Sequence, residues 1–596
     1  MDLHSGERVA YFGSLSCSML WRFAALVAVL CFPLAARAEN RVYSGYELST
    51  IRVELARRGA KLDPAPEGKR ISAIEIVTLE VFNEDDPVPD FVNVFHSTTR
   101  RQVIARELLF GVGEPFSQRR MDETARNLKS LIQLSVVLLV AVAADEPGCV
   151  RVFVITKDVW SLRLNWNARG GSEGLTYLVL NPSERNVAGT HGNLGALFVL
   201  NRSTYSLGLT ASHGRILGTR LAGEIAGSLV FNRSTGEREG SLGTFSYGLP
   251  RYSEKQPWFY GVSLSWDEGL IRVFQPSSAG NPARLLPYRY ERYLDVTSVT
   301  RSFGIRHKLE LKLGAEVDRR VYRSRVPSDV DPDTRAAFER DELPLSDSRI
   351  SPFIQLYRFD NRFLKTIELE TLGLQEDVRL GPQVLLKVYP ASTRLGSTRD
   401  LFGILSGLGY TQRLSDGLAR LNLSSLVEYE KSGRHQAKVT AALRLASPRL
   451  GFGRVIFDGV MENRYQNYLR LKSALGGDGR LRGYSASDTE AAGSATLRGA
   501  DLVALNTEFR TAGVDILSAQ CGLAVFYDAG GTAQRFQDLL LHESTGLGLR
   551  ILFPQLDRVL FRADWAFPLS AGSRALPGSL FVTFGQAFSL PELVGG

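Results

Sequence analysis

The residue types able to do chemistry in this 596-residue chain gather in a glycine-rich stretch, Leu475-Gly-Gly-Asp-Gly-Arg-Leu-Arg-Gly-Tyr484. Gly476, Gly477, Gly479 and Gly483 permit a tight, folded-back path that residues with a Cβ resist, and Arg482 rides near its end. Farther on, Val525-Phe-Tyr-Asp-Ala-Gly530 alternates, so Phe526 and Asp528 share one face of a strand and Val525 and Tyr527 the other. A guanidinium and a carboxylate that meet make a bidentate, charge-assisted pair. In Leu505-Asn-Thr-Glu-Phe-Arg510 the same alternation turns Glu508 and Arg510 to the face of Asp528, either to join such a pair or to line a wet channel. From the residues alone, Arg482 can equally be an exposed loop arginine.

Other chemistries find little support. The seven histidines are His4, His96, His191, His213, His307, His435 and His542, and none lies at metal-ligand spacing from a Cys or another His. Gly189-Thr-His-Gly192 reads as a turn, with His191 in solvent. Neither a G-x-S-x-G elbow nor a phosphate-binding loop is present. Counting residues leaves one enzymatic alternative open, a Ser/His pair on the outer wall of a barrel. The chain is therefore read as a non-enzyme that needs no cofactor or metal. Net charge is +8 but dispersed, without the basic run of a nucleic-acid binder.

The elements that must position these residues change character along the chain. Leu20 to Leu34 is apolar apart from Arg22, and Ala36-Arg-Ala38 is a small-x-small cleavage site, so residues 1–38 are expected to be a secretion signal. Translation from Met19 gives a more ordinary signal than translation from Met1. Residues 39–70 are read as a short helix bearing Leu48, Ile51 and Leu55, then the linker Asp63-Pro-Ala-Pro66. Residues 71–157 show the order β-α-α-β-β. A strand spans Ile71 to Leu79, followed by an acidic loop from Glu84 to Asp90. A first helix covers about Arg100 to Phe110, and a second opens at Ser117 with Met121, Ala125, Leu128 and Ile132 at helical spacing. Two further strands are expected over Leu134 to Ala143 and Val150 to Thr156, giving a three-stranded sheet with both helices on one face.

From Trp160 onward helical periodicity disappears and alternating segments recur to the end, as in Tyr205-Ser-Leu-Gly-Leu-Thr210 and Leu309-Glu-Leu-Lys-Leu313. Short turns such as Ser415-Asp-Gly417 alternate with long polar loops such as Tyr322 to Ser348. No later run of about 20 apolar residues could cross a membrane as a helix, whereas a spanning β-strand needs only about 10 alternating residues. A long meander without helices must hide its edges, and in lipid closure is obligatory. The expectation is a mainly β protein: a transmembrane antiparallel barrel over residues 158–596, preceded by one small α+β domain. Spacing in the C-terminal part extrapolates to about 16 strands. Strands are placed near 500–511, 520–530, 542–553, 558–569 and 578–588. In the last of these Leu580, Val582, Phe584, Gln586 and Phe588 fall on one face, with Gln586 where an apolar residue is expected. Cys149 and Cys521 fall in different units and are read as buried free thiols.

The glycine-rich stretch resembles the GG…(V/L)RG(Y/F) signature of the bacterial surface antigen superfamily, which includes BamA and TamA. The segments after it match in order: Leu505 to Arg510, Val525 to Gly530 (the F-x-D-x-G strand), Gly546-Leu-Gly-Leu-Arg550, and Phe561 to Leu569. The β-α-α-β-β unit resembles a single polypeptide-transport-associated (POTRA) domain in the periplasm. The resemblance implies that the loop, about 473–499, tucks into the barrel lumen, so that Leu481, Arg482, Gly483 and Tyr484 face an inner wall carrying Phe526 and Asp528. It further implies an outer-membrane protein that inserts or translocates polypeptides by strand pairing at the POTRA edge and the barrel seam. Its partners are then the outer-membrane bilayer, unfolded or nascent outer-membrane and secreted polypeptides, and periplasmic chaperones or accessory proteins. Two other readings stay open, a dedicated exporter of one secreted partner and a non-translocating pore or structural protein.

Overall fold

The computed structural model describes residues 43–82, 97–171, 174–275, 284–477, 480–484, 497–569, 578–587 and 593. The expected signal segment, the acidic loop from Glu84 to Asp90, Gly479 and Phe588 lie outside them.

Around the small domain's sheet the strand order is Arg70–Leu79, Cys149–Asp158, Leu134–Ala143, the first pair parallel and the second antiparallel. The chain order β-α-α-β-β is that expected, with helices Arg101–Glu107 and Gln118–Lys129. They cover one face, where Ile104, Phe116, Met121 and Leu128 pack on Ile71, Val150, Val152 and Val154. The other face is covered too. Helix Gly45–Arg57, opened by a capping box between Ser44 and Glu47, lays Ile51 against Val77, Val136, Leu138, Phe153 and Ile155. On this helix Glu47 is buried and Leu48 exposed, because the Glu47 carboxylate accepts the backbone N–H groups of Ser44 at 3.0 Å and of Gln375 at 3.1 Å.

From Leu162 to Phe584 the chain forms one closed antiparallel barrel. Among the described residues it has 20 strands, not about 16. Two of them are interrupted: Asp347–Asp360 with Arg362–Ile367 pair along Gln375–Ala391, and Asp501–Thr511 with Val514–Ile516 pair along Ala519–Ala533. The extrapolation fell short because its window contained the glycine-rich loop, which spreads strands apart, whereas elsewhere turns such as Ser415-Asp416 join strands directly. Period-two alternation sorts the wall. Leu209, Ile225, Leu309, Leu408, Leu523 and Leu547 are exposed outward, a band that only lipid can cover, and charged side chains are buried inward.

One expected strand is shorter than read. The last strand is Ser579–Phe584, ended by Gly585 at φ +90°, so Gln586 does not continue the alternating face. Its Oε1 instead accepts a hydrogen bond from Arg550 Nε at 3.2 Å. The long loop from Tyr322 to Ser348 is also more ordered than its composition suggests. Asp331 caps helix Pro332–Asp341, which buries Phe338 against Tyr288, Val326 and Val330.

The small domain sits on the barrel's short turns. Lys129 pairs with Asp377 at 2.8 Å, Arg126 and Arg119 reach Glu254 at 3.0 and 2.6 Å, and Glu107 receives Arg215 and Arg220. The turn at Gly189-Thr-His191 docks here as well, which overturns its expected exposure. His191 is 6% exposed and its Nε2 lies 2.9 Å from Thr99 Oγ1, while Asn186 ties the turn to Ser97 and Thr99. Burial lowers the His191 pKa to about 4, against the opposing pull of Asp158 and Glu107, with His213 and Arg215 also facing the ring.

An undocked histidine titrates near its ordinary value of about 6.5, so it binds a proton before the docked one does. Docking is then at full strength above about pH 6.5 and weakens as pH falls toward 4, by about 3 kcal/mol for a shift of this size. Hydrogen exchange at Ser97–Arg100 should rise steeply across that window and lose the steep component in His191→Gln. An identical pH profile in the variant contradicts the assignment.

Candidate functional site

The glycine-rich loop enters the lumen from the end opposite the small domain. Its base is a short hairpin, Ser473–Leu475 with Leu497–Gly499. Gly476 and Gly477 have φ +133° and +77°, and Gly477 N–H donates to Tyr484 O at 2.8 Å, which closes the described part of the loop on itself. Leu481 is fully buried with Leu475, Leu497, Leu502 and Ala504, anchoring the tip to the wall by apolar contact. Gly483, at φ +92°, lies against the wall so closely that a Cβ there would be 3.2 Å from Pro568 N. Tyr484 turns its ring edge to His542, and its hydroxyl donates to Glu543 O at 3.0 Å.

This anchoring delivers Arg482 into a fully buried cluster. Its Nε donates to Asp528 Oδ2 at 2.7 Å and its Nη2 to Oδ1 at 2.8 Å, a bidentate pair, and its backbone N–H adds a bond to the same carboxylate at 3.2 Å. Nη1 reaches Glu508 Oε1 at 2.6 Å and Asp564 Oδ2 at 3.0 Å. The guanidinium stacks on Phe526, its Cζ 3.4 Å from the ring centroid. All four of these wall residues point inward, as alternation places Phe526, Asp528 and Glu508. Arg510 joins as well, through Glu508 at 2.7 Å and Leu369 O at 2.9 Å.

Several participants were not singled out from the sequence. Asp564 binds Arg550 at 2.6 Å and Arg562 at 3.0 Å, Asn506 donates to Asp528 at 2.9 Å and to Arg480 O at 2.6 Å, and Arg480 pairs with Asp458. A signal existed. Asp564 and Arg550 alternate in phase with the inward face of their strands, but an inward charge by itself does not reveal its partner.

The arrangement is mechanical. Glu508, Asp528, Arg550 and Asp564 stand on four consecutive strands, Asp501–Thr511, Ala519–Ala533, His542–Leu552 and Phe561–Pro568. One inserted guanidinium links three of them directly and the fourth through Asp564. Beyond them the ladder weakens. The last strand pairs with the first, Leu162–Gly171, at three positions among the described residues: Leu580↔Gly170, Phe581↔Arg169 and Val582↔Ala168. Below these the first strand's foot is held by side chains, an Arg163–Asp557 ion pair at 2.6 Å and the Trp166 and Phe561 rings at 5.7 Å.

No protein-family model matches the chain, and neither does any curated protein sequence. Among solved structures the chain is similar to CdiB from Escherichia coli at 12% identity, TM-score 0.41, over 94% of this chain and 88% of that one. It is also similar to CdiB from Acinetobacter baumannii at 11% identity, TM-score 0.38, over 97% and 88%. A third is BamA from Haemophilus ducreyi lacking POTRA domains 1-3, at 12% identity, TM-score 0.31, over 94% and 97%.

Removing Arg482 leaves the buried Asp528 carboxylate without its cation, at a cost of about 3–5 kcal/mol, whereas removing Asp528 leaves Arg482 on Glu508 and Asp564 and should cost less. Arg482→Ala and Asp528→Ala should each raise single-channel conductance or abolish heat-modifiable gel mobility. Arg482→Lys, which keeps the charge but not the fork, should fall between them and the unsubstituted protein. Unchanged behaviour in both alanine variants sinks the proposed bolt.

Proposed function

We propose that the chain is an outer-membrane barrel that inserts or translocates polypeptides, with the small domain acting as a periplasmic POTRA domain and the seam between first and last strands as the working part. The observation that carries this reading is the contrast at the seam. Four strands on one side are bolted through Arg482, while among the described residues the last strand holds the first by three backbone pairs, with an Arg163–Asp557 ion pair at the first strand's foot.

Backbone groups along the foot of the first strand are the kind of surface on which an incoming strand pairs, largely regardless of its side chains. The small sheet offers a second such surface. Arg70–Leu79 is an edge strand whose outer side is bridged near its start by the 113–116 segment, through Ile71 N–H to Glu114 O at 2.9 Å and Gly113 N–H to Ile71 O at 2.8 Å. A client captured there is carried to the barrel mouth by a domain already docked on the periplasmic turns. Outer-membrane and secreted polypeptides are the partners, and periplasmic chaperones are the natural donors.

A dedicated exporter of one secreted protein uses the same parts, and a non-translocating pore uses none of them. Proteomics of the outer-membrane and secreted fractions after depletion separates the three. Broad loss of barrel proteins is the expected result, and loss of one secreted protein identifies the exporter. Two unchanged fractions contradict both transport readings.

A further inference from the structure

At the end of the barrel away from the small domain, the outward face of one panel changes from apolar to cationic. The panel is made of the long strands Trp258–Gln275, Arg284–Phe303 and His307–Ser324, with Arg238–Leu249 beside them. Glu254, which receives Arg119 and Arg126 of the small domain, marks its near end. Away from that end Phe245, Leu264, Val299, Leu313 and Val317 are exposed in the lipid-facing band. Trp266 and Tyr293 follow on the same face, paired in register, at the level where aromatic side chains of a barrel meet headgroups. Gly243 lets the indole lie along the wall, because a Cβ there would come within 2.5 Å of the Trp266 ring.

One step beyond the aromatic pair, Glu268 and Glu291 stand directly opposite each other, an arrangement that is destabilising unless cations bridge it. Arg289 does so, with Nη2 3.4 Å from Glu268 Oε2 and Nε 3.3 Å from Glu291 Oε1. Arg323 reaches Glu291 at 2.5 Å and Arg238 reaches Glu268 at 3.5 Å, so three guanidiniums share two carboxylates. The side chains of Glu268 and Glu291 are 18% and 16% exposed and those of Arg238 and Arg323 58% and 52%, so the face presents cation rather than acid. A further arginine, Arg319, pairs in register with Tyr293, is exposed, and makes no ion pair among the described residues. The outward Asp295 lies on the near side of Tyr293, opposite Val317, and its carboxylate accepts from Thr297 Oγ1 at 3.3 Å.

We propose that this face binds the phosphorylated headgroup of a lipid in the adjoining leaflet, with Arg319 and Arg323 as its main ligands and Arg238 and Arg289 beside them. A guanidinium fork matches two phosphate oxygens at once, and a phosphomonoester carries enough charge to engage more than one fork. The occupant is a lipid because the cations continue the apolar band. Acyl chains lying on Leu264, Leu313 and Val317 place a headgroup phosphate at the level of Tyr293 and Arg319. The site stands whether or not the barrel handles polypeptides; only which leaflet it faces rests on that reading.

The test is retention of lipid by the full chain in neutral detergent, read by native mass spectrometry, with heat-modifiable mobility confirming a folded barrel. The probe is lipid A, whose sugar headgroup carries phosphomonoesters, against phosphatidylcholine, whose phosphate is masked by its own cation. Lipid A is expected to bind in preference, and Arg319→Gln with Arg323→Gln to weaken its binding by about 30-fold. Glu291→Gln, which releases Arg289 and Arg323, is expected to tighten it. Equal retention of the two lipids, or equal retention of lipid A by the double arginine variant, overturns the site. Displacement of lipid A by millimolar inorganic phosphate overturns the lipid assignment in favour of a soluble anion.

Discussion

A chain that crosses lipid as strands has to pair its backbone polar groups around a complete ring, because nothing in the hydrocarbon replaces a missing hydrogen bond. Among the described residues many junctions meet that demand with long registers, such as the 20-residue strand Arg284–Phe303 zipped to both neighbours. Toward the end of the chain the described registers shorten, to six positions between the last two strands and to three where the ends meet. There the ladder shrinks to Gly170, Arg169 and Ala168 against Leu580, Phe581 and Val582, and Arg163–Asp557 substitutes for backbone pairing at the foot. Ring closure thus rests on its weakest junction.

That weakness is localised by what surrounds it. Arg482, stacked on Phe526 and shared among Asp528, Glu508 and Asp564, makes the four strands before the last behave as one stiff panel. Phe526 packs in turn with Ala566 and Phe581, so the panel ends on a residue of the seam itself. On the other side Arg169 lies over both Phe581 and Tyr177, so a cation–ring contact accompanies the backbone pairs of the seam. A cross-linked panel next to a junction of three described backbone pairs is the contrast on which the proposed strand-pairing role rests.

How much of this the sequence revealed depended on whether a residue's partner was near or predictable. Inward aim was legible for Asp528, Glu508 and Phe526, because period-two alternation is strict in a barrel wall. The meeting of Arg482 with that wall came from resemblance, since nothing in the spacing says where a glycine-rich loop goes. Asp564 and Arg550 escaped notice for the same reason. The burial of His191 is not legible locally because it depends on a docked domain whose contacting residue, Thr99, lies far back in the chain. Spacing understates the strand number because one long loop distorts it, and Gln586 is anomalous only for a strand that runs past Gly585.

If opening at the seam is the working motion, a covalent bond across it should stop the work and leave the fold intact. Ala168 and Val582 are directly paired in register across the seam, so cysteines at these two positions can be joined and released at will. The oxidised pair, with normal heat-modifiable mobility, is expected to block delivery of client polypeptides to the outer membrane, and reduction to restore it. Full delivery with the seam locked contradicts a working role for the seam.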